Sequence, residues 1–353
     1  MTPADASQDL IEKVRAAAES RTALRIVGGN TKAFYGRRVA GTPLSTLAHC
    51  GIVNHDPAEL VVTVRSGTQL DDLESTLAEH GQCLPFEPPH FGTGATVGGM
   101  VACGLAGPAR ASTGTVRDYV LGARLLTGDA RVLRFGGEVI KNVAGYDVSR
   151  LLAGSLGILG VLLEISIKVL PRRPASATQV FELDAAAALT RVAELAARPL
   201  PLTASCWVEG CLYLRFDASE PALARVLREL GGEALREPGA FWAGIREQTH
   251  AFFSGATRLH RIHARGDRPS SAARESALYE WHGMQRWCRD LAPESLSRLG
   301  SEPGTQLTLF RGGQPDQDVF APLPPPVMQL HRALKHAFDP AGILNPGRMY
   351  AEL

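Results

Sequence analysis

Two glycine-bearing segments, Gly28-Gly29-Asn30-Thr31-Lys32 and Thr96-Val97-Gly98-Gly99, hold the residue types best suited to chemistry in this 353-residue chain. In each, successive backbone N–H groups of a turning loop could converge on an anion, a nest that needs no large side chain. Glycine suits such a loop because backbone atoms must approach phosphate oxygens closely and some φ angles would be positive. Two commoner phosphate motifs fail on register. A dinucleotide fingerprint needs G-x-G-x-x-G directly between a strand and a helix. Gly92 and Gly94 supply its first two glycines, but Val97 takes the third position and glycine arrives one residue late at Gly98. Prolines rather than a strand precede it. A P-loop would need Lys-Ser or Lys-Thr after its glycines, and neither follows. Close packing of two layers through small residues is the alternative these glycines leave open.

The other candidates are sparser. His260 and His263 are three residues apart in LHRIHARGD. Along a strand that spacing puts them on opposite faces, a poor metal pair, and no metal centre is expected. Arg258, Arg261 and Arg265 could hold a carboxylate or form a solvated face. His282, between Trp281 and Trp287, is expected to pack within a helix. The six cysteines (Cys50, Cys83, Cys103, Cys206, Cys211, Cys288) show no C-x-x-C spacing for zinc or an iron–sulfur cluster, so reduced thiols are expected. A formal net charge of +1, with 21% charged and 45% hydrophobic residues, gives no basic surface for nucleic acid. No run reaches about 18 apolar residues, which argues against a membrane span. The N-terminal MTPADASQDLIEKVRAAAES has no apolar core with a cleavage site, so a soluble cytoplasmic protein is expected.

These loops need elements to position them. Thr2, Pro3 and Asp5 read as a capped start for a helix with the stripe Leu10, Ile11, Val14, Ala17 and Ala18. LRIVGGNTK reads as a strand running into a tight loop, and LVVTVR as a second strand. SGTQLDDLESTLAEHG reads as a helix with a Thr68/Asp71 capping box, Leu70, Leu73 and Leu77 on one face, and a stop at Gly81. VLGARLLTGDARVLRF predicts a hairpin about Gly128-Asp129, partnered by the apolar run 159–170. Pro171 and Pro174 then mark a boundary. From 175 onward, strand, helix, a hairpin about Glu209-Gly210 and a second helix suggest a ferredoxin-like α+β unit. Beyond it come a strand near TRLHRIHA, a helix near RESALYEWHGMQRWCRD and a strand at TQLTLF. APLPPP reads as a linker before a proline-started helix and a punctuated tail.

Taken in order, IVGGNTK, GATVGGMVACGLAG, KNVAGYDVSRLLAGSLGILGVLLEISIKVLP and FDPAGILNPGRMY resemble flavoproteins of the vanillyl-alcohol-oxidase and p-cresol-methylhydroxylase type, and among them the FAD-binding subunits of bacterial glycolate oxidases. The resemblance covers roughly residues 20 to 172 and the last 30 or so, with weaker support from TLFRGG and APLP. It implies an α+β fold: a two-subdomain FAD-binding domain over 1–172, a smaller ferredoxin-like domain over 173–325, and a C-terminal helix and tail, 326–353, returning to the first. It also implies that Val27, Gly28, Gly29, Asn30, Thr31 and Lys32 cradle the FAD diphosphate with Thr96, Val97, Gly98 and Gly99. Gly104 and Gly107 would approach the isoalloxazine or ribityl chain, and Ile158 the adenine end. Some relatives attach FAD through a first-loop histidine. Gly29-Asn30-Thr31 stands there instead, so the FAD is expected to be non-covalent and His90 to be a loop residue. Lys141 could stabilise reduced anionic flavin or form a surface ion pair.

Oxidising a 2-hydroxy acid needs a base for the hydroxyl proton, a cation for the carboxylate, and the flavin near the α-hydrogen. The related catalytic subunits carry a histidine-rich metal motif that is missing here. The resemblance therefore implies the FAD-binding subunit of a multi-subunit glycolate oxidase or dehydrogenase. Its partners would be a larger FAD-containing subunit and an iron–sulfur subunit, and it would touch the inner membrane only peripherally through them. Two alternatives stay open, a self-sufficient FAD-dependent alcohol or hydroxy-acid oxidoreductase and a flavin-free scaffold of the same fold.

Overall fold

The computed structural model describes residues 3–137, 147–264, 277–314 and 316–353. Its first half is built on a five-stranded antiparallel sheet in the order Ile52–Asp56, Val61–Arg65, Val161–Lys168, Val120–Leu126, Val132–Gly136. The inner strands are buried at most positions on both faces, whereas the edge strand Val132–Gly136 keeps an alternating pattern. The helix Leu70–Glu79 lays Leu70, Leu73 and Leu77 into this core beside Val97, Met100 and Val101 of the short helix Val97–Cys103. A separate parallel pair, Leu24–Val27 with Thr42–Ser45, packs beneath Leu10 and Val14 of the helix Ser7–Ser20. The chain end joins this pair through a parallel bridge between Leu24 and Leu344.

The second half is an eight-stranded sheet ordered Glu233–Ala234, Ala175–Glu182, Cys211–Ala218, Leu202–Val208, Ala277–Glu280, Gln285–Arg289, Leu259–His263, Gln306–Arg311. Its first four strands, with the helices Ala185–Ala196 and Glu220–Leu230, have the ferredoxin-like order, every neighbouring pair antiparallel. One face is covered by those two helices. The other face carries Ala204, Cys206, Leu278, Trp287 and Phe310 against Tyr35, Leu105 and Leu156 of the first half. The Glu87 carboxylate, which accepts from Arg215 Nη2 at 2.7 Å and from the Ala109 N–H at 3.0 Å, pins the halves together beside the Trp281 indole, which donates to Gly107 O at 2.9 Å.

Four expectations change. The helix expected through RESALYEWHGMQRWCRD is, from residue 277, an antiparallel hairpin, Ala277–Glu280 with Gln285–Arg289. Its apolar run is buried on both faces, and a short continuous apolar run does not distinguish strand from helix. His282 therefore sits in a tight turn with φ 57°, not in a helix. Thr68 does not cap the helix that follows it. Its hydroxyl donates to Arg65 O at 2.7 Å and accepts from the Gly51 N–H at 2.8 Å, tying two loops, and the helix starts after an extended Gln69 with no side-chain cap. In the first helix Asp5 Oδ1 accepts from the Ser7 N–H at 2.9 Å, while Thr2 lies outside the described residues. Pro325 and Pro326 belong to the helix Pro325–Phe338, where proline is tolerated in the first turn, so APLPPP is linker only in part. The strands Thr42–Ser45 and Ile52–Asp56 carried no legible signal, being short and largely exposed.

Candidate functional site

Where the strand Leu24–Val27 ends, a cavity of about 130 Å³ opens between the parallel strand pair and the larger sheet. Gly28 to Ala33 form one side of it, and Thr96, Gly98, Gly99, Ala102 and Cys103 another. Leu156 to Leu162 contribute Leu156, Gly157, Gly160 and Leu162, and the tail adds Asn345 and Arg348.

The two glycine segments touch. A Cβ on Gly29 would overlap the Gly94 carbonyl oxygen, and one on Gly28 would overlap Thr96 Oγ1. The Thr96 hydroxyl is committed to the helix it starts, accepting from the Gly99 N–H at 3.2 Å. Here the structure departs from the expectation of two equal nests. The Val97 N–H donates to Thr68 O at 3.0 Å and the Gly98 N–H to Ser66 O at 2.8 Å, so with Gly99 the three amides of the second loop are already satisfied. In the first loop the amides of Gly29, Asn30, Thr31 and Lys32 make no hydrogen bond among the described residues, and Asn30 holds φ 60° to turn them. The free donors thus come from the first loop, and the second supplies a wall whose small residues leave room.

The electrostatics favour an anion. Arg25, Lys32 and Arg348 line the cavity, and among the described residues none forms an ion pair. Burial lowers the Lys32 pKa, and its Nζ donates to His90 O at 3.2 Å. Burial also lowers that of Arg348, whose guanidinium is fixed on the carbonyls of Arg37 and Ala33 at 2.9 and 3.0 Å. Ser66 is 1% exposed, lines the same cavity, and its hydroxyl has no hydrogen-bond partner among the described residues. A buried hydroxyl left so costs about 1–3 kcal/mol, and a ligand acceptor would recover it.

Of the residues singled out in the sequence, Val27 to Lys32, Thr96, Gly98 and Gly99 meet at this cavity. Val97 and Ile158 lie instead in the adjoining core, at 0% and 3% exposure. Gly104 turns the chain with φ 62° against Gly154, and Gly107 abuts Glu87 at the junction of the halves. Lys141 and Arg265 lie outside the described residues. His90 is more than a loop residue: Nδ1 is 3.2 Å from Asp71 and Nε2 3.2 Å from Glu74, and Glu74 foremost raises its pKa. His260 and His263 are on opposite faces of one strand, as their spacing required. Sequence reasoning missed Arg25, Thr46, Ser66, Cys103 and Arg348. Ser66 had a signal, since Ser-Gly follows LVVTVR as Gly-Gly follows LRIV, but the others are brought in only by packing.

A family described as FAD binding domain matches residues 2–136, and one described as FAD linked oxidases, C-terminal domain, matches residues 323–349. The chain is 47% identical over 350 residues to the glycolate oxidase subunit GlcE of Escherichia coli (strain K12), covering 99% of each chain. It is 26% identical to a D-lactate dehydrogenase of Archaeoglobus fulgidus, over 84% of this chain and 79% of that one. A solved alkyldihydroxyacetonephosphate synthase superposes with a TM-score of 0.67 over 96% of this chain and 74% of that one, at 15% identity, a likeness of fold.

Proposed function

Because the chain belongs to the FAD-binding glycolate oxidase subunits of the vanillyl-alcohol-oxidase and p-cresol-methylhydroxylase family, we propose that it holds its FAD in this cavity and works within a multi-subunit enzyme oxidising glycolate to glyoxylate. The residues present fit that cofactor. A diphosphate would meet the free amides of Gly29 to Lys32 and the unpaired charges of Arg25, Lys32 and Arg348, and the Ser66 hydroxyl would gain a partner. Gly28 and Gly29 let the two loops touch, and Gly99 leaves the space that a side chain would fill. Val97 and Ile158 would hold the two walls from the core, and Gly104 and Gly107 would carry the chain past the flavin. No histidine stands in the first loop, which supports a non-covalent FAD. When bound, FAD supplies the two-electron acceptor for the α-hydrogen of a 2-hydroxy acid. The chain's own residues bind and orient it and, through the apolar junction of the halves, keep water from its reactive end.

In this reading residues 1–172 bind FAD, 173–325 form the docking or cap domain, and 326–353 clasp the first. A larger FAD-containing subunit and an iron–sulfur subunit complete the enzyme, because this chain's scattered free cysteines offer no cluster. No described helix is long and apolar enough to cross a membrane, so any membrane contact is assigned to those partners. The observation that carries the proposal is the cavity where unpaired cations, free amides and an unpartnered buried serine converge. The test is a spectrum of the purified chain: stoichiometric flavin released by acid supports it, and a colourless protein that cannot take up FAD overturns it. Bleaching by glycolate with and without the partner subunits then locates the turnover.

A further inference from the structure

Lys32, 6% exposed, carries its charge into the cavity on few partners. Its ammonium donates to His90 O at 3.2 Å, reaches Thr31 Oγ1 at 3.5 Å, and stands 5.9 Å from the Phe91 ring centroid. Two of those contacts come from one dipeptide, His90-Phe91, so whatever holds that dipeptide also seats the lysine. From the second half Glu247, just past the helix Pro238–Arg246, accepts from the Phe91 N–H at 2.7 Å and the His90 N–H at 3.0 Å. Phe91 has φ 54°, unfavourable for a residue with a side chain, so the dipeptide depends on such ties. The other tie is the His90 imidazole, mostly buried between two carboxylates that share one side of the helix Leu70–Glu79. Nδ1 is 3.2 Å from Asp71 Oδ1, and Nε2 is 3.2 Å from Glu74 Oε2.

These two contacts select a charge state. A neutral imidazole has one N–H and one lone pair, so one nitrogen would turn its lone pair toward a carboxylate oxygen. Only the imidazolium offers a donor to both. Nε2 is buried and makes no well-aligned hydrogen bond, so attraction between charges holds that side. A metal ion fits less well, because it would take one ring nitrogen and the carboxylates face different ones. We propose that His90 is a positioning residue for the cofactor cavity, a protonated latch from the helix Leu70–Glu79 to the dipeptide that seats Lys32, so that loss of its proton weakens the hold on FAD. The link to FAD rests on the functional reading above, whereas the latch rests on the geometry alone. Among the described residues Glu74, Glu247 and Asp71 favour the proton, Glu74 foremost, and burial opposes it. The neighbouring cations are Lys32 and, across the Phe91 ring at 4.9 Å, Arg311, while Arg246 pairs with Glu247 at 2.7 Å. The balance raises the His90 pKa above its ordinary 6.5, so the folded chain holds this proton more tightly than the unfolded one. The latch is therefore fully set below about pH 6.5 and is lost as pH rises through the folded value.

The test uses the full chain. Nuclear magnetic resonance titration of the apoprotein, with the His90 ring signal assigned by its absence in His90→Gln, reads the proton directly. A midpoint above 6.5 is expected, moving down when Asp71→Asn and Glu74→Gln are combined. FAD affinity, read by quenching of flavin fluorescence, should weaken between about pH 6 and about pH 8.5 by roughly 5-fold or more, the lower end of coupling between linked sites. His90→Gln should bind at the acid end only as well as the wild type does at the alkaline end. His90→Lys, cationic throughout that range, should bind tightly and flatten the profile. Should the His90 variants not fold, Asp71→Asn alone, at an exposed position, should still lower the midpoint. A His90 midpoint at or below 6.5 overturns the latch. A profile that His90→Lys leaves unchanged also overturns it, because the titration then belongs to Lys32 itself. Either result in a yellow protein leaves the flavin reading standing. A chain that takes up no FAD overturns that reading instead, and the apoprotein titration still decides the latch.

Discussion

Gly98 and Gly99 are neighbours with different duties. A Cβ on Gly98 would stand 2.7 Å from Ser66 Cβ and 2.9 Å from Ser66 O, so Gly98→Val should destabilise the fold by roughly 1–3 kcal/mol, an overpacking cost. Gly99 has only Thr96 Oγ1 nearby, at 3.2 Å, and lines the cavity. Gly99→Val should therefore leave the melting temperature nearly unchanged and strip flavin, read as the absorbance ratio of flavin to protein. Gly92 has open space but φ 125°, so Gly92→Ala should cost about 1–3 kcal/mol of backbone strain while flavin stays bound. Glu280 gives a pH signature of its own. Its folded pKa of about 7 lies above the ordinary 4.5, so the folded state binds the proton more tightly than the unfolded chain. Stability from this group is full below about pH 4.5 and is lost as pH rises through 7, by an amount of order 3 kcal/mol. Urea unfolding at pH 5 and pH 8 should show the loss, and Glu280→Gln should reduce it.

The tail is the element on which the first loop depends. Asn345 accepts from the Ile26 N–H at 2.8 Å and donates to Leu156 O at 2.7 Å, joining the end of the first strand to the segment across the cavity. Behind it, buried Lys335 donates to Asp339, Ile158 O and Leu344 O, while Asp339 also accepts from the N–H groups of Ile343 and Leu344. Asp339→Ala would leave the Lys335 charge buried and unpaired, and should cost about 3–5 kcal/mol in chemical denaturation. Asn345→Ala should cost about 1–3 kcal/mol and lower flavin retention, because the strand end is released. The tail's turn residues were legible in the sequence. That Asn345 would bridge segments 319 and 189 residues before it in the chain was not. The hairpin from 277 to 289 was misread for a similar reason: its apolar run is set by burial on both faces, which belongs to the sheet and not to the segment.

At the scale of the whole molecule, the cavity is closed by segments from both ends of the chain, so flavin should stabilise all of them together. At FAD concentrations 100 times its dissociation constant the gain is about 2.7 kcal/mol. Differential scanning calorimetry should show it as a higher melting temperature, and protease should cut the apoprotein faster within residues 339–353 than the loaded protein. An unchanged tail would mean the clasp is independent of the cofactor. Local chemistry was written in the sequence: which segments turn, which helices bury Leu70, Leu73 and Leu77, and which glycines must stay small, because periodicity and backbone freedom act over a few residues. Tertiary structure alone decided that the first loop keeps its amides free while the second spends its own on Ser66 and Thr68. It also decided that Ser66, Arg25 and Arg348 reach the cavity beyond the first strand, and that Arg261 is buried without a counter-ion among the described residues. Hydrogen-bond satisfaction and charge pairing are settled between segments distant in the chain, and no local pattern records them.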